Sequence, residues 1–165
     1  RSKDEVGYLM KMLLKALESD LPIFLEHNVQ LNVIGTRDGL SDAVLKAIDK
    51  AEDKTASLNG GTLLLCLNYG GQLEIVDAVK KIVQSGLQAE EITADVISKN
   101  LYASEVPPCD LIVRTSGEKR LSNFMLWRAA YSEFIFLEKN WPDMTKEDVS
   151  AILEEYASRH RRFGG

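Results

Sequence analysis

The chain reads as an α/β protein with a central, mainly parallel sheet flanked by helices. Three observations predict this. Helix-period and strand-period segments alternate along the chain. The strand-like segments are short, and 62–67 (TLLLCL) and 110–113 (DLIV) are apolar runs of the kind buried in parallel sheets. No repeat, low-complexity tract or linker interrupts the pattern, so residues 1–165 are expected to form one domain.

Residues 3–19 predict a helix, because Val6, Leu9, Met10, Leu13, Leu14 and Leu17 recur at spacings of three and four. Pro22 disturbs it. Residues 29–34 (VQLNVI) alternate like a strand, and Gly35 and Gly39 mark the turn that follows. Ser41 can cap a helix to about Ser57 that buries Val44, Ala47, Ile48 and Ala51. Asn59-Gly60-Gly61 stops it, and the run at 62–67 predicts a strand covered on both faces. A helix over 71–85 is expected to bury Ile75, Ala78, Val79, Ile82 and Val83, with Gly86 ending it. Thr93 caps a shorter helix to about Ala103, Pro107-Pro108 breaks the chain, and 110–113 is a short buried strand. Residues 121–131 look helical and 133–137 (EFIFL) strand-like. Thr145 and Asp148 resemble a capping box for a last helix that buries Val149, Ile152, Leu153 and Tyr156.

Composition narrows the function classes. A chain of 165 residues can bury roughly 70% of its unfolded surface, so a real core is expected. With 45% hydrophobic and 27% charged residues it is an ordinary globular sequence. Its net charge of −5 argues against a dedicated nucleic-acid binder. Cys66 and Cys109 lack a CxxC spacing or a nearby His, so they read as small packing residues in a reducing compartment. No apolar run approaches the ~18 residues of a membrane span, and no signal peptide opens the chain. No clustered Cys/His or HExxH suggests zinc.

In open α/β sheets ligands bind beyond the carboxyl ends of the strands, so the segments after 34, 67 and 113 are where chemistry is sought. The richest is Arg114-Thr-Ser-Gly-Glu-Lys-Arg120-Leu-Ser-Asn123. Two Arg forks can grip phosphate oxygens in pairs, Gly117 permits a tight bend, and Ser122 near the start of the next helix adds a hydroxyl and free N–H groups. The same residues could equally form a surface loop whose arginines pair with Glu118 and other acids. Glu133 opens a strand and could hold Mg²⁺, or be an edge charge or a partner of Arg128. Asn68-Tyr69-Gly70-Gly71 is either a ligand-approach turn or an ordinary strand-to-helix turn. The tail Arg159-His-Arg-Arg162-Phe-Gly164-Gly165 either complements a helix C-terminus or binds an anion.

RTSGEKRLSNFMLW, AYSEF, WPDMT and RHRRFGG together resemble the C-terminal signature of the cis-prenyltransferases, in the manner of undecaprenyl diphosphate synthases. CLNYGGQLEIVDAV and HNVQLNVIG resemble two further blocks of that family, so the likeness spans the chain. It implies a parallel sheet with surrounding helices and a Mg²⁺-dependent transferase. Such an enzyme adds isopentenyl diphosphate in cis to an allylic diphosphate such as farnesyl diphosphate. The product would be a polyprenyl (undecaprenyl-type) diphosphate, a membrane-destined cell-wall lipid carrier. The resemblance assigns Arg114, Arg120 and Ser122 to isopentenyl diphosphate, with Arg162 and Gly164 joining them from the tail. Asn68, Glu118 and Asn123 would support the site, and Glu133 would bind Mg²⁺. A homodimer is implied, each tail reaching the neighbouring site, with no nucleic-acid partner. The expected location is cytoplasmic, with the protein peripheral at the membrane if attached at all.

Two family blocks find no match, the Asp-Gly-Asn-Gly-Arg-Trp block and Phe-Ser-x-Glu-Asn-Trp. On this reading the chain lacks the N-terminal strand and the allylic-diphosphate motif, and its catalytic residues are expected in a missing segment. Smaller departures are Gln72 and Cys109. The alternatives are a non-catalytic accessory subunit of a two-component enzyme and a simple anion- or RNA-binding module. Each charge-assisted bond to the diphosphate would be worth about 1.5–3 kcal/mol. Each buried five-carbon unit would add roughly 3–4 kcal/mol at ~0.8 per CH₂. The helix at 3–19 and the strand at 62–67 are the best candidate walls for the prenyl chain.

Overall fold

The computed structural model describes residues 2–159. They fall into two compact units that divide between Tyr69 and Gly70, each with its own pair of parallel strands.

In the first unit α1 (Lys3–Ser19) begins at Ser2, whose Oγ accepts the Glu5 N–H at 3.2 Å, with Asp4 and Glu5 suited to the positive helix end. Pro22 does more than disturb this helix. A second short helix, α2 (Leu21–Glu26), starts there, because proline in a first turn has no N–H to lose. The strand β1 (Val29–Ile34) pairs in parallel with β2 (Gly61–Cys66), Leu31 opposite Leu63. Between them α3 (Asp42–Thr55) lays Val44, Ile48 and Ala51 against Leu17 and Leu31, which forms the core as the 3.6-residue spacing predicted. This helix also seals one edge of β1. Thr55 Oγ1 accepts the Leu31 N–H at 3.0 Å and Glu52 Oε1 accepts that of Val33 at 2.7 Å, so side chains take the place of a neighbouring strand. The expectation that the apolar run of β2 is covered on both faces is not met. Thr62 and Leu63 are exposed and Leu64–Cys66 only half-buried, and β2 pairs with β1 alone among the described residues.

The second unit holds α4 (Gly71–Gln84), α5 (Ala94–Asn100), β3 (Leu111–Arg114), β4 (Glu133–Phe136) and α6 (Lys146–Ser158). The strands β3 and β4 are parallel, with Leu111 opposite Glu133 and Arg114 opposite Phe136. Ala78, Ile82, Leu101, Ile112, Met125, Ala129, Ile135 and Ile152 are buried. Three sequence expectations are corrected here. First, α4 turns a different face inward: Glu74 is fully buried while Val79 and Val83 are exposed. Arg128 explains it, since its Nε lies 3.9 Å from Glu74 Oε1 and Glu74 also accepts the Tyr102 N–H at 3.2 Å. A buried carboxylate needs such compensation, and the fold supplies it. Second, α6 buries Ile152 but leaves Val149 and Leu153 exposed. Third, residues 121–131 form successive turns rather than a helix. Ser122 (φ 48°), Asn123 (φ 67°) and Met125 (φ 50°) lie in the left-handed region, which no right-handed helix passes through. The capping box is present: Thr145 and Asp148 exchange bonds with each other's backbone N–H at 2.7 and 3.3 Å.

Candidate active site

Arg114 is the last residue of β3, so the chain leaves the carboxyl end of the strand straight into the arginine-rich loop. The loop is folded back by backbone bonds. Ser116 N–H reaches Lys139 O and Gly117 N–H reaches Leu137 O, each at 2.9 Å. Gly117 is required twice over. Its φ is +70°, and a Cβ there would lie 2.6 Å from Glu138 Oε2. With Ser116, Ser122, Asn123 and Met125 also at positive φ, the loop concentrates a backbone strain that cores avoid and functional sites tolerate.

The side chains converge in part. Arg114 Nη1 donates to Ser122 Oγ at 3.1 Å and to the Arg120 carbonyl. Arg114 and Arg120 border one cavity of about 200 Å³, completed by Ile112, Val113, Leu121 and Phe124. Arg120 pairs with Glu118, and their side chains are 63% and 38% exposed. At that exposure an ion pair is worth only about 0–1 kcal/mol, so an arriving diphosphate can displace it cheaply. The cavity is small for a whole drug-sized ligand, at ~300–1,000 Å³, but suits a charged head. Ser122 starts no helix here, so the expected helix-terminal N–H groups are not part of this loop; its contribution is the hydroxyl held by Arg114.

Asn123 does something the sequence reading missed. Helix α4 has no cap of its own at Gly70. Asn123 caps it from a distance: Oδ1 accepts the Gln72 N–H at 2.9 Å and the main-chain carbonyl accepts that of Gly71 at 2.7 Å. The glycines make room, since a Cβ on Gly70 would fall 2.7 Å from Asn123 Nδ2, and one on Gly71 2.9 Å from Leu126 Cγ. Asn68, in the first unit, donates Nδ2–H to the carbonyls of Thr36 and Asp38 at 3.3 and 3.2 Å and so fastens the turn after β1.

Glu133 stands apart from the loop. The register sets it beside Leu111, three positions or about 10 Å along the strand from the level of Arg114 at ~3.3 Å per residue. Its Oε2 accepts from Arg159 Nη1 at 2.7 Å, so its partner is Arg159 and not the Arg128 considered from sequence. Arg159 also bonds Phe134 O at 3.0 Å and pairs with Glu155, and these two carboxylates, Glu133 first, hold its pKa above the ordinary value. Among the described residues no group of three His, Cys, Asp or Glu could enclose a metal ion. Glu133 offers one hard oxygen donor, already ion-paired to Arg159, and a Mg²⁺ there would need its remaining oxygens from phosphates and water. Cys66 and Cys109 form no disulfide among the described residues and are half-buried, and burial pushes the Cys109 pKa up, which fits a packing role. Arg162 and Gly164 lie outside the described residues. Among those described, no helix is long and apolar enough to cross a membrane.

The profile of the Prenyltransf family ("Putative undecaprenyl diphosphate synthase") matches residues 1–164. The chain belongs to this prenyltransferase family. An isoprenyl transferase of Listeria innocua is 44% identical over 169 residues, covering all of this chain and 67% of that protein. A ditrans,polycis-undecaprenyl-diphosphate synthase of Micrococcus luteus, (2E,6E)-farnesyl-diphosphate specific, is 44% identical over 170 residues, covering all of this chain and 68% of that protein. Among solved structures, a "probable undecaprenyl diphosphate synthase" of Campylobacter jejuni superposes with TM-score 0.92 at 33% identity, over 100% of this chain and 77% of that one. The lavandulyl diphosphate synthase of Lavandula x intermedia, in complex with dimethylallyl diphosphate, gives 0.94 at 33% identity, over 100% and 73%. As a family member the chain is a cis-prenyltransferase with the expected α/β fold of helices around parallel strands.

Proposed function

We propose that the chain elongates an allylic diphosphate, farnesyl diphosphate as in the Micrococcus luteus relative, with isopentenyl diphosphate in cis configuration. The product on this reading is an undecaprenyl-type diphosphate. The observation that carries the proposal is the shared cavity of Arg114 and Arg120, with the Ser122 hydroxyl fixed by Arg114 beside it. Arg114, Arg120 and Ser122 hold the diphosphate of isopentenyl diphosphate, Glu118 releasing Arg120 as the anion arrives. Held there, the double bond faces the allylic carbon. That carbon loses its diphosphate, which departs with the bonding electrons. The double bond supplies the pair for the new carbon–carbon bond, and a proton leaves the resulting cation. The residues of the loop contribute positioning and electrostatic stabilisation.

Mg²⁺, when bound, neutralises diphosphate charge, and Glu133 is the carboxylate that would hold it. Asn123 supports the site by locking the loop to α4. Asn68 fastens the turn after β1 within the first unit. Arg162 and Gly164 would complete the site in a homodimer, each tail serving its neighbour. We place the reaction in the cytoplasm, at the membrane surface that takes up the product, without nucleic acid. The expected organisation, one family domain over 1–165, is part of the same reading. An accessory role has less support, because the matched relatives are named as a transferase and a synthase over the whole of this chain. The lavandulyl relative shares the fold, so the product has to be measured. Incubating the intact protein with farnesyl diphosphate, labelled isopentenyl diphosphate and Mg²⁺ should give labelled long-chain polyprenyl diphosphates. Absence of label beyond the starter would overturn the proposal.

A further inference from the structure

The cavity between Arg114 and Arg120 has an aromatic wall that a diphosphate head alone does not call for. Phe124 lines it together with Ile112, Val113 and Leu121. The Phe124 ring is 40% exposed, although a buried phenylalanine is among the larger apolar gains a fold can make. The chain gives the core the neighbouring Met125 instead, at 5% exposure. Phe124 is held all the same. Its N–H donates to the Leu121 carbonyl at 3.0 Å, Asn123 before it is tied to Gly71 and Gln72, and Met125 after it is buried. The backbone on either side therefore fixes where the ring leaves the loop.

We propose that the face of the Phe124 ring stabilises the positive charge that develops on isopentenyl diphosphate as the new bond forms. This rests on the reading of the cavity as the isopentenyl diphosphate site, and goes beyond it by giving the apolar wall a part in the chemistry. The double-bond pair makes the new carbon–carbon bond, and the allylic diphosphate leaves with its own pair. The branched carbon of the isopentenyl unit is then three-coordinate and cationic. The charge ends when the adjacent methylene gives its proton to water or a phosphate oxygen and the C–H pair closes a new double bond. The cationic carbon is three bonds from the nearest head-group oxygen, or about 4 Å at ~1.5 Å per bond. A sphere of about 200 Å³ is about 7 Å across, so a head on the arginines brings that carbon within the ~6 Å over which an aromatic face attracts a cation. The wall suits the task chemically. A carboxylate or hydroxyl there would add to the carbon and end the reaction, whereas a ring face stabilises charge with no lone pair to give. The isopentenyl tail is neutral in the ground state, so the contact favours the transition state over the bound substrate and acts on rate rather than affinity.

The test is the single-turnover rate of the first condensation, by quenched flow with farnesyl diphosphate, saturating isopentenyl diphosphate and Mg²⁺, alongside the Kd of isopentenyl diphosphate by calorimetry. The intact wild type is compared with Phe124→Leu, Phe124→Tyr and a form carrying a trifluorinated phenylalanine at this position, each checked for folding by circular dichroism. Phe124→Leu should slow the step about fivefold or more while Kd stays within about twofold. Phe124→Tyr keeps the electron-rich face and should stay within about threefold of the wild-type rate. The trifluorinated ring keeps the shape but loses the negative face, so it should slow the step as leucine does, and it carries the test if the leucine variant folds poorly. A wild-type rate in the folded leucine or trifluorinated form, or a tyrosine form as slow as leucine, would overturn the role of the ring. If Arg114→Ala/Arg120→Ala still weakens Kd, that failure leaves the diphosphate reading standing. An unchanged Kd in the folded double variant would remove the site itself, and the role of Phe124 with it.

Discussion

Arg128 and the Arg114–Asn123 loop lie close in sequence, yet the fold uses their arginines in opposite ways. Arg128 is 5% exposed. Its Nη atoms donate to the carbonyls of Tyr102, Ala103 and Val106, and its Nε faces the buried Glu74. Its Nη atoms are committed to carbonyls, while among the described residues Nε makes no hydrogen bond and has the Glu74 charge at 3.9 Å as its only compensation. Arg120 is 63% exposed and paired with a glutamate that is itself partly in water. Arg114 spends one nitrogen on organising its own loop. A buried arginine whose Nη donors are spent on main-chain carbonyls is a structural part. Arginines bordering a cavity, on bonds that cost little to exchange, are what a diphosphate site requires.

That contrast makes sharp predictions. Arg128→Met should cost about 3–5 kcal/mol, because it strands the Glu74 charge in the core, and chemical denaturation measures it. If the loss is under about 1 kcal/mol, Arg128 is not the buried counter-ion described here. Arg120→Ala should do the reverse. Stability should change by less than about 1 kcal/mol, while KM for isopentenyl diphosphate rises about tenfold or more, the worth of one lost charge-assisted contact. Asn123→Ala falls between the two. Losing the remote cap of α4 should cost about 1 kcal/mol and also raise KM, since Asn123 sits next to Ser122. A stability loss with KM unchanged would make Asn123 a cap and nothing more.

The smallest effect is a pH effect. The Asp148 carboxyl is held down to about 2 by Lys139 first and then by Thr145. Its folded pKa lies below its unfolded value, so its contribution is fully present above about pH 4 and fades as pH falls toward 2. Acid titration of helicity should show a step in that window that Asp148→Asn removes. An identical titration in the variant would locate the acid sensitivity elsewhere.

The helices α1 and α3 were legible because apolar spacing specifies which face is buried, and the strands were legible in position though not in the burial expected of β2. The loop was legible by its chemistry, two arginines and a glycine beyond a strand. What sequence could not show depends on partners far along the chain. The buried face of α4 follows from Arg128 meeting Glu74, a pairing that hydrophobic periodicity counts as two surface residues. The helix expected over 121–131 gave way to left-handed turns at Ser122, Asn123 and Met125, which helical spacing cannot register. Asn123 was expected to support the site, and the fold spends it on the amides of Gly71 and Gln72. The tight pair Gly70-Gly71 was the available signal, since glycines at a helix start with no cap of their own leave room for one from elsewhere. Glu133 was found for its charge, but Arg159 as its partner required the strand register and the end of α6.

The most direct test is the affinity of the intact protein for isopentenyl diphosphate, by calorimetry, in wild type and in Arg114→Ala/Arg120→Ala. With two charge-assisted grips removed, Kd should rise by about a hundredfold or more while the thermal midpoint stays within a few degrees. An unchanged Kd in a folded double variant would mean that the cavity between these arginines is not where the diphosphate is held.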